Sequence, residues 1–132
     1  MPYRKGARAE RELTEKLWAC GFAVVRSAGS GNLKNVPDVI AIKNGKILAF
    51  ECKFRKNELS ISKEELENLS RWAERANANL YIAWKVPRKG WFFIKPRDLK
   101  FARKHYRMRV EEAEKVGLSL EIVLGLQKKL VE

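Results

Sequence analysis

Asn44-Gly45 lies between two apolar runs, Pro37 to Lys43 and Ile47 to Phe54, and constrains this chain more than any other dipeptide. Asn-Gly favours left-handed backbone at both positions, which is what a two-residue type I′ hairpin demands. The two runs are therefore expected to pair as antiparallel strands. Such a turn fixes the register: Val39 falls opposite Phe50, and Asp38 falls opposite Glu51. Directly opposed residues hold their Cβ atoms about 5 Å apart, unless a bulge shifts the pairing by one position. Side chains alternate along a strand, so Glu51 and Lys53 share one face.

The rest of the chain supplies partners for that hairpin. Arg8 to Cys20 reads as a helix, with Ala9, Leu13, Leu17 and Cys20 at helical spacing and Gly21 as its stop. Phe22 to Ala28 reads as a strand, followed by a loop, Ser27-Ala28-Gly29-Ser30-Gly31-Asn32. Ser62-Lys63-Glu64-Glu65 has the form of a capping box. The helix it opens runs to about Asn77 and buries Leu66, Leu69, Trp72, Ala73 and Ala76. Leu80 to Lys85 and Trp91 to Lys95 read as strands joined by a turn at Pro87-Arg88-Lys89-Gly90. Lys100 to Arg109 contains no acid and fits either a phosphate-tracking segment or a solvated helix face. Leu120 to Leu130 reads as a closing amphipathic helix capped by Ser119. The order is helix, three strands, helix, two strands, helix. The expected fold class is α/β: one central mixed five-stranded sheet flanked by helices. With 132 residues and no Pro-, Gly- or Ser-rich linker, residues 1–132 are expected to form a single domain.

Asp38 and Glu51 side by side should repel, unless a cation lies between them. Few hard oxygen ligands, with room left for water and phosphate, suit Mg²⁺. Lys53 on the same face would approach a scissile phosphate, and the chemistry would be phosphodiester hydrolysis. Asp at a strand start and Glu with Lys near a strand end also occur on solvated edges. Two observations weigh towards a site. Ile47-Leu48-Ala49-Phe50 reads as a buried strand, where an unpaired acid is costly. The chain also carries 28 Lys and Arg against 16 acids, a net charge of +12 that seeks polyanions. Cys20, Cys52 and His105 have no partners at zinc-ligand spacing. Unpaired cysteines, a charged N-terminal stretch and no long apolar run point to a reducing, cytoplasmic setting without membrane or secretory segments.

The Pro37-Asp38 … Glu51-Cys52-Lys53 pattern resembles that of the restriction-endonuclease-like nucleases. Longer strings narrow this. Tyr3-Arg4-Lys5-Gly6-Ala7-Arg8-Ala9-Glu10-Arg11-Glu12-Leu13 and Gly21-Phe22-Ala23-Val24-Val25-Arg26-Ser27-Ala28-Gly29-Ser30 resemble the archaeal Holliday-junction resolvases. Gly90 to Ile94 and Leu118 to Lys128 fit the same family, so the likeness spans nearly the whole chain.

The resemblance implies a restriction-endonuclease-like nuclease fold and a homodimer that binds four-way DNA junctions. It would cut two opposed strands symmetrically with Mg²⁺, for which Mn²⁺ would substitute. By position, Glu10, Asp38 and Glu51 would be metal ligands, Lys53 would stabilise the transition state, and Ser30 would serve in the active-site loop. Arg11 and Arg26 would act on DNA. Arg4, Lys5, Arg8 and Lys85 are further candidate DNA contacts, although a solvated face accounts for cations on the first helix about as well. Arg26, set among apolar residues, needs an anionic partner: DNA or one of the acids. No small-molecule substrate is expected. The competing readings are a related nuclease with another DNA substrate, and a non-catalytic basic DNA-binding module.

Overall fold

The computed structural model describes residues 2–27 and 35–125, with side chains from Gly6 onward. Helix α1 (Pro2–Ala19) leads into β1 (Ala23–Arg26), β2 (Val39–Lys43) and β3 (Lys46–Phe54). Strand β4 (Glu58–Ser62) precedes α2 (Lys63–Ala76), β5 (Asn79–Val86) and β6 (Gly90–Ile94). A 3₁₀ turn then leads to β7 (Lys100–Ala102), β8 (His105–Arg109), α3 (Val110–Val116) and α4 (Leu120–Val123).

The central sheet has five strands in the order β1-β2-β3-β5-β6. Only β3 and β5 run parallel; their neighbours pair antiparallel, so the sheet is mixed as expected. Asn44 and Gly45 take φ of 51° and 81°, the left-handed values the hairpin requires. The ladder runs unbroken from Lys43↔Lys46 to Val39↔Phe50. No bulge intervenes, so the next step outward sets Asp38 across from Glu51.

Alternation along β3 then divides the core. Leu48 and Phe50 face α1, where they pack with Leu13, Leu17, Phe22, Val39, Ala41 and Phe93. The opposite face of the sheet, with Ile82 and Trp84, packs on Leu66 and Leu69 of α2 and on a second sheet. Glu51 and Lys53 emerge on this second face. Trp84 is fully buried, and its indole N–H donates to the Arg55 carbonyl at 3.0 Å. That bond satisfies the one polar atom of a large core side chain.

Several elements differ from the sequence reading. Helix α1 starts at Pro2, six residues ahead of Arg8. Proline is pre-organised for a helix start, and apolar periodicity could not register turns that lie ahead of the core. Strand β1 ends at Arg26. The three-stranded sheet β4-β8-β7 was not expected at all. Leu59 and Ile61 alternate with polar residues in β4 and are buried, a period-two signal overshadowed by the helix cap that follows. The Lys100 to Arg109 segment is a hairpin, not a helix face. Helix α3 follows it directly, and α4 is only four residues long with Ser119 as its cap. The remainder of the expected closing helix lies outside the described residues. Ser62 caps α2 by accepting from the Glu65 amide at 3.0 Å. The Glu65 carboxylate, which a full capping box would return to the cap, turns instead toward β3.

Candidate active site

The site is assembled at the end of the β2–β3 hairpin, where the sheet meets the middle of α1 and the first turn of α2. Asp38 precedes β2, and its Oδ2 accepts the Cys52 amide at 2.8 Å. Its own carbonyl accepts the Ser27 amide at 2.9 Å, which ties the strand start to the end of β1. The first bond follows from the hairpin register and orients the Asp38 carboxylate; the second continues the β1–β2 pairing. Glu51 is 8% exposed, and its Oε1 has no hydrogen-bond partner among the described residues. An orphaned carboxylate oxygen at that depth is costly unless a cation completes it.

Electrostatics point the same way. Burial, and then the charges of Asp38 and Glu65, push the Glu51 carboxyl up to about 9; Lys53 opposes them. Burial also raises Asp38, with the Glu10 charge adding to it and the Cys52 amide working against it. Burial, and then the charges of Asp38, Glu10 and Glu51, push the Cys52 thiol well up. Glu51 and Glu65 flank the ammonium of Lys53, whose charge also acts on Asp38. When all three acids are ionised, this cluster is net negative and favours added positive charge.

Lys53 Nζ stands 3.8 Å from Glu51 Oε2 and 2.9 Å from Glu65 Oε2. Glu65 was missed in the sequence, where it reads as the acid of a helix cap. Glu10, on α1, is bound by Arg26 with Nε to Oε1 at 3.0 Å. Arg26 thus finds its anionic partner among the acids, one of the two outcomes its position allowed. Among the described residues no three acidic, histidine or cysteine side chains are gathered as a finished metal cage. Asp38 and Glu51 come together; Glu10 is near enough to raise Asp38 but is engaged by its arginine.

The expected DNA contacts divide. Arg8 and Arg11 are exposed on α1. Lys85 is instead committed: Nζ meets Glu12 Oε1 at 2.7 Å and lies 5.3 Å from the Trp91 ring centre. Trp91 donates its indole N–H to the same Glu12 oxygen at 3.2 Å. This pairing holds the Glu12 carboxyl below the usual range. Arg8, Ala9, Glu12, Phe54 and Lys85 line a cleft of about 400 Å³. Arg4 and Lys5 fall in α1, with side chains outside the described residues, and Ser30 lies outside them entirely. No helix among the described residues is long and apolar enough to cross a membrane.

Two neighbouring carboxylates, Asp38 and Glu51, with the Lys53 ammonium beside Glu51, are a donor set of the kind that suits a hard cation. Comparison with known proteins agrees with that chemistry. The archaeal Holliday junction resolvase (Hjc) family matches residues 1–131. The crossover junction endodeoxyribonuclease Hjc of Archaeoglobus fulgidus is 38% identical over 123 residues, covering 92% of this chain and 90% of the relative. That of Methanocaldococcus jannaschii is 37% identical over 129 residues, covering 97% and 92%. The solved structure of A. fulgidus Hjc, a Holliday junction resolvase from an archaeal hyperthermophile, superposes with a TM-score of 0.82 at 36% identity. The match covers 92% of this chain and 96% of that one. With its mixed five-stranded sheet, its hairpin-borne carboxylate pair and these relatives along nearly its full length, the chain belongs to the archaeal Holliday junction resolvase family.

Proposed function

We propose that this protein resolves four-way DNA junctions by metal-dependent phosphodiester hydrolysis, nicking two opposed strands symmetrically. The observation that carries the reading is the buried Glu51, with an oxygen unpartnered among the described residues, next to the half-buried Asp38 and beside Lys53. Asp38 and Glu51 would hold the cation, and Glu10 would join them when it leaves Arg26. A small oxygen-ligand set with room for water and phosphate favours Mg²⁺, and Mn²⁺ would substitute. The ion supplies Lewis acidity at the phosphoryl oxygen and a more acidic bound water.

The residues of the chain do the rest. Asp38 is oriented by the Cys52 amide, so its free oxygen presents a fixed negative charge. Lys53 donates to a non-bridging phosphate oxygen as negative charge builds there in the transition state. Water forms the new P–O bond while one ester bond of the strand breaks. Glu65 acts as a positioning residue for Lys53, holding its ammonium clear of direct capture by Glu51. Arg4, Lys5, Arg8, Arg11, Arg26 and Lys85 would meet the backbone of the arms, and Ser30 would contact DNA or the scissile phosphate. Phosphate contacts position without reading sequence, as recognition of a junction by its shape requires. A two-fold homodimer presents two such sites to a nearly symmetric substrate. Acting on DNA, the protein would work in the cytoplasm.

The test is cleavage of an immobile four-way junction with Mg²⁺, each strand labelled in turn, beside a linear duplex of the same sequence. Paired nicks confined to opposed strands of the junction are expected. Asp38→Asn and Glu51→Gln should lose cleavage while still binding the junction. Equal cutting of the duplex, or activity retained in Glu51→Gln, would overturn the reading.

A further inference from the structure

The acid-free segment from Lys100 to Arg109 has no part in the site described above, yet its turn holds the one pair of consecutive non-glycine residues with left-handed backbone among the described residues. Arg103 and Lys104 connect the paired residues Ala102 and His105, and both hold left-handed backbone, with φ of 54° and 71°. Asn44 and Gly45 adopt the same kind of geometry in the first hairpin, where the residue types suit it. Arginine and lysine do not, because a Cβ crowds the backbone in that region. Residues kept in such a conformation point to a local demand for the side chain itself. Here the demand is for two exposed cations at a hairpin tip.

That tip is tied to the first turn of α2, the turn that carries Glu65. The Lys104 carbonyl accepts the Lys63 amide at 3.0 Å. Lys63 opens α2, and two residues further on Glu65 holds Lys53. The strands extend the charge away from the tip. Alternation in β8 buries Met108 on the inner face and turns His105, Arg107 and Arg109 outward. Among the described residues Arg103, Lys104, Arg107 and Lys63 form no ion pair. Lys63 Nζ lies 5.8 Å from the ring centre of Phe101, which is half exposed.

We propose that the β7–β8 hairpin is a DNA-contacting arm, with Arg103 and Lys104 at its tip and Lys63 and Arg107 behind them engaging phosphates next to the scissile bond. This rests on the DNA-cleaving function proposed above. The partner is the sugar–phosphate backbone: exposed cations without ion-pair partners among the described residues neutralise phosphates whatever the base sequence.

The test installs the turn of the first hairpin in the second. Arg103→Asn with Lys104→Gly removes two charges and relieves the backbone, so the variant should melt several degrees higher than the parent. Binding to a four-way junction and to a linear duplex is measured without divalent metal across a salt series. Junction affinity should fall on the order of tenfold or more at 0.1 M salt, and the slope of log K against log salt should become shallower by about 2. Unchanged affinity and slope would overturn the arm and leave the hairpin to an acidic protein partner. Equal wild-type affinity for duplex and junction would instead count against the junction substrate, while a shallower slope on both DNAs would still uphold the arm.

Discussion

Lys53 is held by Glu65 of the neighbouring helix and not by Glu51 of its own strand: its ammonium stands 2.9 Å from the former and 3.8 Å from the latter. A lysine tied closely to a metal-binding carboxylate would compete with the cation. One drawn aside onto α2 leaves Glu51 Oε1 without a partner among the described residues and, in the proposed mechanism, would keep its charge beside the reacting phosphate. Ser62 sets this geometry by capping the first turn of α2, from which Glu65 projects.

Glu65→Ala is therefore expected to slow single-turnover junction cleavage by about tenfold to a hundredfold, with junction affinity changed less than threefold. Glu65→Gln keeps a hydrogen-bond acceptor and should recover most of the rate. The discriminating measurement is a double-mutant cycle: in a Lys53→Ala background, Glu65→Ala should cost nothing further. Additive losses would mean that Glu65 acts independently of Lys53.

The Glu51 carboxyl, raised from 4.5 to about 9 in the folded chain, makes stability depend on pH. Between those values the folded state binds a proton that the unfolded state has released. The metal-free protein is therefore stabilised below pH 4.5 by this group and loses that contribution as pH rises toward 9. At pH 7 the loss amounts to about 3 kcal/mol. Metal-free urea midpoints should fall from pH 5.5 to pH 8, and Glu51→Gln should flatten that slope. Added Mg²⁺ should raise the midpoint more at pH 8 than at pH 5.5. A wild-type profile rising over this range would contradict the burial of an uncompensated carboxylate.

Lys85 is neutralised by Glu12, so its charge is not fully available to DNA. Glu12→Gln should tighten junction binding severalfold and steepen the salt dependence by up to about one phosphate contact. Fluorescence anisotropy over a salt series reads both. Weaker binding would indicate that Glu12 holds Lys85 in a DNA-competent pose instead of withholding it.

Gly117 ends α3 against the sheet. A Cβ there would meet the Ala113 carbonyl oxygen at 2.6 Å and the Phe92 ring at 3.1 Å. Its φ of −68° is ordinary, so the constraint is space and not backbone conformation. Gly117→Ala should destabilise the protein by about 2 kcal/mol, seen as a lower denaturant midpoint, with cleavage per folded molecule unchanged. Wild-type stability would show that α3 can shift to admit a methyl group.

The central hairpin was legible because its information is local. A two-residue Asn-Gly turn admits one register, and that register alone brings Asp38 to Glu51. Helix α2 and strands β5 and β6 were legible for a similar reason, since apolar period and turn residues repeat within a few positions. Nothing comparable marked Lys100 to Arg109. Only Met108 in its strands is buried, and Arg103-Lys104 is not a turn-forming pair, so the β7–β8 hairpin left little apolar trace.

Tertiary structure decided the partners of the charged groups. Glu65 reaches Lys53 from 12 residues away, Arg26 reaches Glu10 from 16, and Lys85 reaches Glu12 from 73. Each pairing depends on how α1 and α2 seat on opposite faces of the sheet, which is set by burial of Leu13, Leu17, Leu66 and Leu69 far from the charges themselves. Local backbone geometry thus determined which carboxylates meet. Non-local packing, which is indifferent to the charges it carries along, decided which cations stand beside them.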